Sequence, residues 1–511
     1  MRKLPFLFIP FIYVSLYAQS PGDELFNENQ VLTVDLQFTQ PGFWDSLVAN
    51  YATETYMKVS VTLTGNTGDT TFSEIGIRLK GNSSYGHPGE KKSFKLDFNR
   101  YIDSFEYDGL KKLNFNNCFK DPTFMREKIF YDICKTENIN APRINYANVY
   151  MNDTFWGFYT VVEQVDDEFL KTHFDDKSEN LFKAGDAFGM GGPTDEADLK
   201  FYGTDQADYD GKYTLENNTD ENNWSDLISL LDFINNSSDE VFASDLALHF
   251  NVEQIMKSLV LSNLYANLDS YLNSARNYYI YNKDSTGVWE WINWDCNEAF
   301  GSYPAGGAVT NMTELDPHYF GLNRPLLERI VTVADTKTIY DNYYCNLRAA
   351  YFTDSYIETQ TNLLYSLIQT HVYADDNKMY TNANFDANIE SNITAGGGPG
   401  GGTIYGLKSF VSERNSWLEG AIDCSAVINE ITEITGYEIQ IYPNPVKDIL
   451  YFEFNETIVQ PVITILNIQG AEISEIQIQN NTLNLSELPP GMYIFKMEVD
   501  GEVVCKQFVK M

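Results

Sequence analysis

Residues 263–301 read NLYANLDSYLNSARNYYIYNKDSTGVWEWINWDCNEAFG. An amphipathic helix runs into a polar turn that carries Asp269. RNYYIY (276–281) then reads as a strand, a turn spans Asp284 to Gly287, and VWEWINW (288–294) is a second strand that delivers Asp295. The second strand is apolar enough to be buried, so it holds Asp295 rigidly at its end. Two carboxylates at the mouths of ordered elements suit phosphoryl transfer. One orients an attacking hydroxyl, and the other grips a divalent ion that bridges the phosphates. Asn277 and Asn297 are neutral oxygen donors able to complete a metal shell. A plainer account meets the same residues: Asp269 caps a helix and Asp295 fills a turn.

Three stretches lie upstream. IRLKGNSSYGHPGEKKSFKLDF (77–98) sends a strand into a Gly/Ser turn. A second strand leaves the turn carrying Lys91, Lys92 and Lys95. Backbone N–H groups at such a turn cradle phosphate and a lysine on the return strand neutralises it, although an ordinary hairpin with solvated lysines has the same pattern. LNFNNCFKDPTFMREKIFYDI (113–133) predicts a helix opened by Asp121 as N-cap and Pro122 at its first position. Met125, Ile129, Phe130 and Ile133 share one face of that helix. VYMNDTFWGFYTVVEQVDDEFL (149–170) is a strand pair turned at Asn152-Asp153 that runs into Glu163.

These four stretches, in this order, resemble the spore-coat CotH family of atypical, kinase-like proteins. The resemblance implies an α+β, two-lobed, atypical protein-kinase-like domain over residues 22–420, with a β-rich lobe before an α-rich one. It implies transfer of the ATP γ-phosphate to Ser or Thr of a secreted or surface protein, with Mg2+ or Mn2+. By motif, Asp269 corresponds to the catalytic aspartate and Asp295 to the metal aspartate, with Asn297 and Asn277 beside it. Arg78, Lys80, Lys95, Arg126 and Glu163 fall on the nucleotide side. One departure stands out. The family pattern W-D-x-D is here Trp294-Asp295-Cys296-Asn297, which leaves the metal shell one charge short. A catalytically silent binding or adhesion module is the alternative, and a wall-polymer hydrolase with paired carboxylates is a third.

The last stretch, 438–511, contains YPNPVKDILYFEF (442–454), ITILNIQGAEI (463–473) and LNLSELPPGMYIFKMEVDGEVVCKQFVKM (483–511). Short alternating strands cut by turn residues, with Asp500-Gly501 as a hairpin signal, predict a small β-sandwich. The Y-P-N-P opening, the central N-I-Q-G and the L-P-P-G-M-Y close resemble the C-terminal sorting domain of type IX secretion cargo. That resemblance implies an outer-membrane translocon as partner and a secreted or cell-surface location. Residues 421–437 form the expected linker.

The opening MRKLPFLFIPFIYVSLYA (1–18) is a signal-peptide pattern, with Arg2 and Lys3 before an apolar stretch and Ala18 at the cut. No later segment is long and apolar enough to span a bilayer. The 511 residues carry a net charge of −37, which excludes nucleic acid and anionic membrane surfaces as natural partners and favours divalent cations. The six cysteines form no C-x-x-C and do not build a zinc site. They are expected mostly as buried free thiols. DQADYDG (205–211) has the look of a calcium loop but lacks a distal Glu, so a solvated insertion is expected. GGGPGGG (396–402) carries no terminal Lys and is expected as a loop joining two helical segments, not a P-loop.

Overall fold

The computed structural model describes residues 20–27, 30–66, 68–185, 196–283, 287–303, 309–395 and 402–425, and beyond these the strands and adjoining residues of 439–510. The expected signal peptide lies outside the described residues, as do residues 426–437 of the expected linker. The chain divides into two compact units, residues 1–423 and 424–511.

In the first unit seven strands close into a barrel: β1 (Val31–Gln37), β2 (Met57–Gly65), β3 (Gly68–Leu79), β4 (Phe94–Asp97), β5 (Lys112–Asn116), β6 (Ile144–Met151) and β7 (Thr154–Glu163). Their order around the barrel is β1-β2-β3-β4-β5-β7-β6. Every pairing is antiparallel except the closing one, β1 with β6. Period-two alternation sends Ile77, Leu79, Phe94, Leu96, Leu113, Phe115 and Val161 into the core, each contributing roughly 1.5–3 kcal/mol by burial. The opposite parity puts Arg78, Lys80, Lys95, Asn114 and Asn116 on the outer face. Arg78 pairs in register with Lys95, and Lys95 with Asn114. Asn152 and Asp153 both take positive φ, 48° and 61°, as the two-residue hairpin requires.

Helix α1 (Phe43–Asn50) follows β1, and α2 (Arg126–Thr136) connects β5 to β6. The expected start of α2 at Asp121-Pro122 is corrected to Arg126. Asp121 still satisfies the helix start, but from a distance: its carboxylate accepts from the backbone N–H of Thr123 and of Arg126, at 2.9 Å each. Phe124 in the left-handed region (φ 60°) breaks the helix before Met125.

After α3 (Asp167–Phe174) a second sheet forms from β8 (Leu181–Ala184), β9 (Tyr213–Leu215), β10 (Tyr278–Lys283) and β11 (Val288–Asn293), in the order β11-β10-β8-β9. The later helices are α4 (Ser225–Asn236), α5 (Asp239–His249), α6 (Val252–Leu264), α7 (Pro325–Thr332), α8 (Ala334–Tyr351), α9 (Asp354–Ala374), α10 (Asn382–Glu390) and α11 (Leu407–Ala421); α5 and α6 pack on β11, and α9 packs on β7 of the barrel. The glycine-rich stretch at 396–402 joins two short antiparallel strands, β12 (Ile393–Ala395) and β13 (Gly402–Ile404), rather than two helices directly. Cys118, Cys134 and Cys296 are buried free thiols. Cys345 and Cys424 are each part of a disulfide, as an oxidising destination permits.

In the second unit, β14 (Ile439–Tyr442), β15 (Ile449–Phe454), β17 (Gln477–Gln479) and β18 (Thr482–Asn484) form one sheet. β16 (Val462–Asn467), β19 (Gly491–Val499) and β20 (Glu502–Lys510) form the other. Leu450 and Phe452 from the first share one core with Ile465, Tyr493 and Phe495 from the second. Val499 pairs with Glu502, and the expected turn residues Asp500 and Gly501 lie outside the described residues.

Candidate functional site

The outer face of the barrel carries the cationic side of the site. Lys80 leaves the end of β3 and donates to Asn114 Oδ1 at 3.2 Å and Asn116 Oδ1 at 3.0 Å. Its ammonium lies 5.7 Å from the ring centre of Trp294. Burial lowers the Lys80 pKa, and the charges of Asp295 and Glu127 oppose that shift. Burial also lowers Lys95, to about 7, reinforced by the charges of Lys80, Arg78, Lys183 and Lys112. Arg78 pairs with Glu54 at 3.0 Å. A row of cations whose members weaken one another's protonation is poised for an anion.

The acidic side comes from three separate places in the chain. Asp269 sits in the turn after α6, where Ser274 donates to its Oδ1 at 3.0 Å and Asn277 to its Oδ2 at 3.1 Å. Asn277 also donates to the Asp269 backbone carbonyl at 2.6 Å, so the side chain and its own loop are clamped together. Burial raises the Asp269 pKa and Asp295 adds to it, while Arg276, 3.9 Å away, lowers it. Asp295 follows β11 in the left-handed region (φ 51°, ψ 56°), at the entry to the short turn Cys296–Glu298. Asn297 in that turn donates its amide to Phe119 O at 3.2 Å, which leaves its oxygen as the atom able to meet a cation.

Two further carboxylates belong here: Glu127, which the sequence marks only as lying beside Arg126 on the helix, and Glu298, which escaped sequence reasoning. Burial raises Glu127 strongly, and Asp295 is the largest charge acting in the same direction. Asn116 donates to its Oε2 at 3.2 Å, while its Oε1 is buried with no partner. Glu298, also raised first by burial and then by Asp269, is held by Lys120 at 2.8 Å. The available signal for Glu127 was its place in the first turn of a helix beside the quoted Arg126. For Glu298 it was the Asp295-x-x-Glu298 spacing.

Arg126 and Glu163 stand apart from this cluster. Arg126 is wholly buried, and its guanidinium bonds Asp121, Thr123, Ser302, Asn388 and the Tyr405 carbonyl. Burial alone would push Glu163 up, but His173 and Arg143 outweigh it and hold the carboxyl at about 2. Its partners Arg143 and His173 line a cavity of about 380 Å³ with Tyr131, Asp132 and Lys135, behind α2.

Among the described residues no three His, Cys, Asp or Glu side chains converge closely enough to enclose a metal ion by themselves. The donor set instead fits an ion completed by phosphate oxygens and water, which is how magnesium is usually held. The buried, unpartnered Oε1 of Glu127 beside Asp295 is the observation that supports this fit. Among the described residues no helix is long and apolar enough to cross a membrane.

Comparison with known proteins matches the same two regions. The C-terminal strands, residues 440–511, match the secretion system C-terminal sorting domain, the mark of cargo sent to the exterior or the cell surface. A curated relative, the inner spore coat protein H of Bacillus subtilis (strain 168), is 23% identical over 317 residues. The alignment spans 61% of this chain and 82% of the relative. Residues 77–418, which contain the end of β3, the barrel strands β4 to β7 and every acidic and cationic group of the cluster, match the model described as CotH kinase protein, and the chain belongs to that family.

Proposed function

We propose that this exported protein is a phosphotransferase that moves the γ-phosphate of ATP to a Ser or Thr hydroxyl of a secreted or surface protein, in an atypical kinase-like fold. One observation carries the reading: the charges of Asp295 and Glu127 act on the buried ammonium of Lys80, that of Asp295 acts on Asp269, and that of Lys80 acts on Lys95, so acids and cations share one buried neighbourhood. Arg78, Lys80 and Lys95 neutralise phosphate oxygens. Asp295 and Glu127, with the oxygens of Asn297 and Asn277 in reach of the same loop, hold the cation. Mg2+ or Mn2+ held there would supply the counter-charge that lets these acids ionise together and would offset charge on the phosphates. Asp269, clamped by Ser274 and Asn277, orients the acceptor hydroxyl and takes its proton as that oxygen bonds to phosphorus and ADP leaves.

The second reading is a display module that binds without turning over. Asn297 favours it, since its amide replaces a charged ligand of the family motif, and ATP is scarce outside the cell. Phosphate transfer from labelled ATP by the purified mature chain, with magnesium or manganese, separates the two. Calorimetry with a non-hydrolysable ATP analogue gives the site. Asp269→Asn should lose transfer and keep binding. Asp295→Ala should lose metal-dependent binding with the fold intact. Asn297→Asp should tighten metal binding by adding a charge. A parent chain with no metal-dependent nucleotide binding overturns the phosphotransfer reading.

A further inference from the structure

Far from the acidic cluster in sequence, one ion pair is more deeply buried than any of the pairs that line it. Lys91 Nζ lies 2.6 Å from Asp375 Oδ2, with side-chain exposures of 1% and 0%. Lys91 belongs to the return of the Gly/Ser turn, and Asp375 caps the C-terminal end of α9. A buried pair of this kind needs further hydrogen bonds to offset desolvation. Asp375 has them. Its Oδ2 accepts from the Phe158 N–H of β7 at 3.0 Å and its Oδ1 from the Asn377 N–H at 2.9 Å. Gly157 leaves room for it, since a Cβ there would stand 3.1 Å from the carboxylate. The rings of Phe124 and Tyr159 flank the ammonium at 4.5 and 5.1 Å.

The pair is wired to the candidate site through one residue. Asn117 donates its amide to the Lys91 carbonyl at 2.9 Å, and its backbone N–H to Ser93 Oγ at 3.0 Å. The Ser93 carbonyl in turn accepts the N–H of Lys80 at 2.9 Å. The neighbour of Asn117, Asn116, receives the Lys80 ammonium and donates to Glu127. The turn itself is closed differently: Lys92 donates to the carbonyls of Tyr85 and His87, and Tyr85 stacks on Tyr51. Lys91 thus sits at the base of the turn, joined through Asn117 and Ser93 to the backbone of Lys80.

We propose that Lys91 and Asp375 are positioning residues for the phosphate-binding side: their ion pair pins the base of the 81–92 turn to the end of α9 and so holds Lys80 and Asn116 where nucleotide phosphates meet them. This rests on the phosphotransfer reading of the cluster.

The test uses the full mature chain. Asp375→Asn keeps the shape and removes the charge. Hydrogen–deuterium exchange should rise at least tenfold at the Lys80 and Asn117 amides and stay unchanged in β16, β19 and β20. Affinity for the non-hydrolysable ATP analogue should fall about tenfold, with KM for ATP rising in step and kcat changing less than threefold. A merely structural role would lower kcat with the folded fraction and leave KM unmoved. Asn117→Ala cuts the tether and leaves both charges paired, so it should move exchange and KM in the same direction by about threefold. Unchanged nucleotide affinity in folded Asn117→Ala overturns the proposal, even if Asp375→Asn does not fold. A parent that binds no nucleotide overturns the phosphotransfer reading and this role with it. A parent that binds, with both variants binding equally, overturns the pin alone.

Discussion

Lys95 is half-buried, and four neighbouring cations oppose its charge, which brings it to about 7. A polyanion arriving beside it offsets the repulsion of those cations, so nucleotide binding at pH 8 should take up a proton. Affinity should weaken as pH rises through 7. Calorimetry in two buffers of different ionisation enthalpy measures the uptake. Lys95→Met should abolish it and cost about tenfold in affinity, or about 1.4 kcal/mol. The sign for stability is opposite. Between about 7 and the unfolded value of 10.5 the unfolded chain binds the extra proton, so this group's contribution makes the fold more stable as pH rises through that window. Asp269 and Asp295 were legible because each ends an element in a polar turn. Glu127 was not, since an acid in the first helical turn is ordinary helix chemistry. Neighbours on a helix point about 100° apart, so Arg126 beside it faces a different environment and forms the buried network instead.

The clearest difference between sequence and structure at the level of elements is the start of α2. Asp121-Pro122 carries the usual signal, and the carboxylate does bind helix N–H groups. It also pairs with the Arg126 guanidinium at 2.6 Å, a demand that no local pattern announces. Asp121→Ala should therefore cost far more than a lost cap, about 3–5 kcal/mol, because it strands a buried charge. Urea unfolding of the central unit checks this, and a loss near 1 kcal/mol would mean the cap alone matters. β10 and β11 were readable from their apolar runs. α9 was less so, although Ile357, Thr361, Leu364, Ile368 and Val372 recur at helical spacing on its buried face. Its polar remainder and the absence of glycine or proline punctuation hid both the helix and the Asp375 that ends it.

The strand-rich first part of the central unit and the mainly helical part after it were legible, although strands β8 to β13 lie among the helices, and so was the short-strand unit at the C-terminus. The closure of the barrel was not, because it depends on a pairing between distant strands. Each unit has its own core. Deleting residues 438–511 should therefore leave the central unit folded, with unchanged circular dichroism and melting, and retain the protein in the periplasm. Surface display of the truncated form, measured by protease accessibility on intact cells, would remove the sorting role. The parallel seam between β1 and β6 sets Val31 against Tyr146, more than a hundred residues later. Contacts so remote close slowly, because a long loop must be ordered before they reward it. Until β6 docks, β1 offers a bare edge to any other strand. A chain emerging N-terminus first thus has nothing to gain from early folding. Its topology rewards being kept extended until residue 151 has crossed, and makes delay itself a protection against aggregation on the way out.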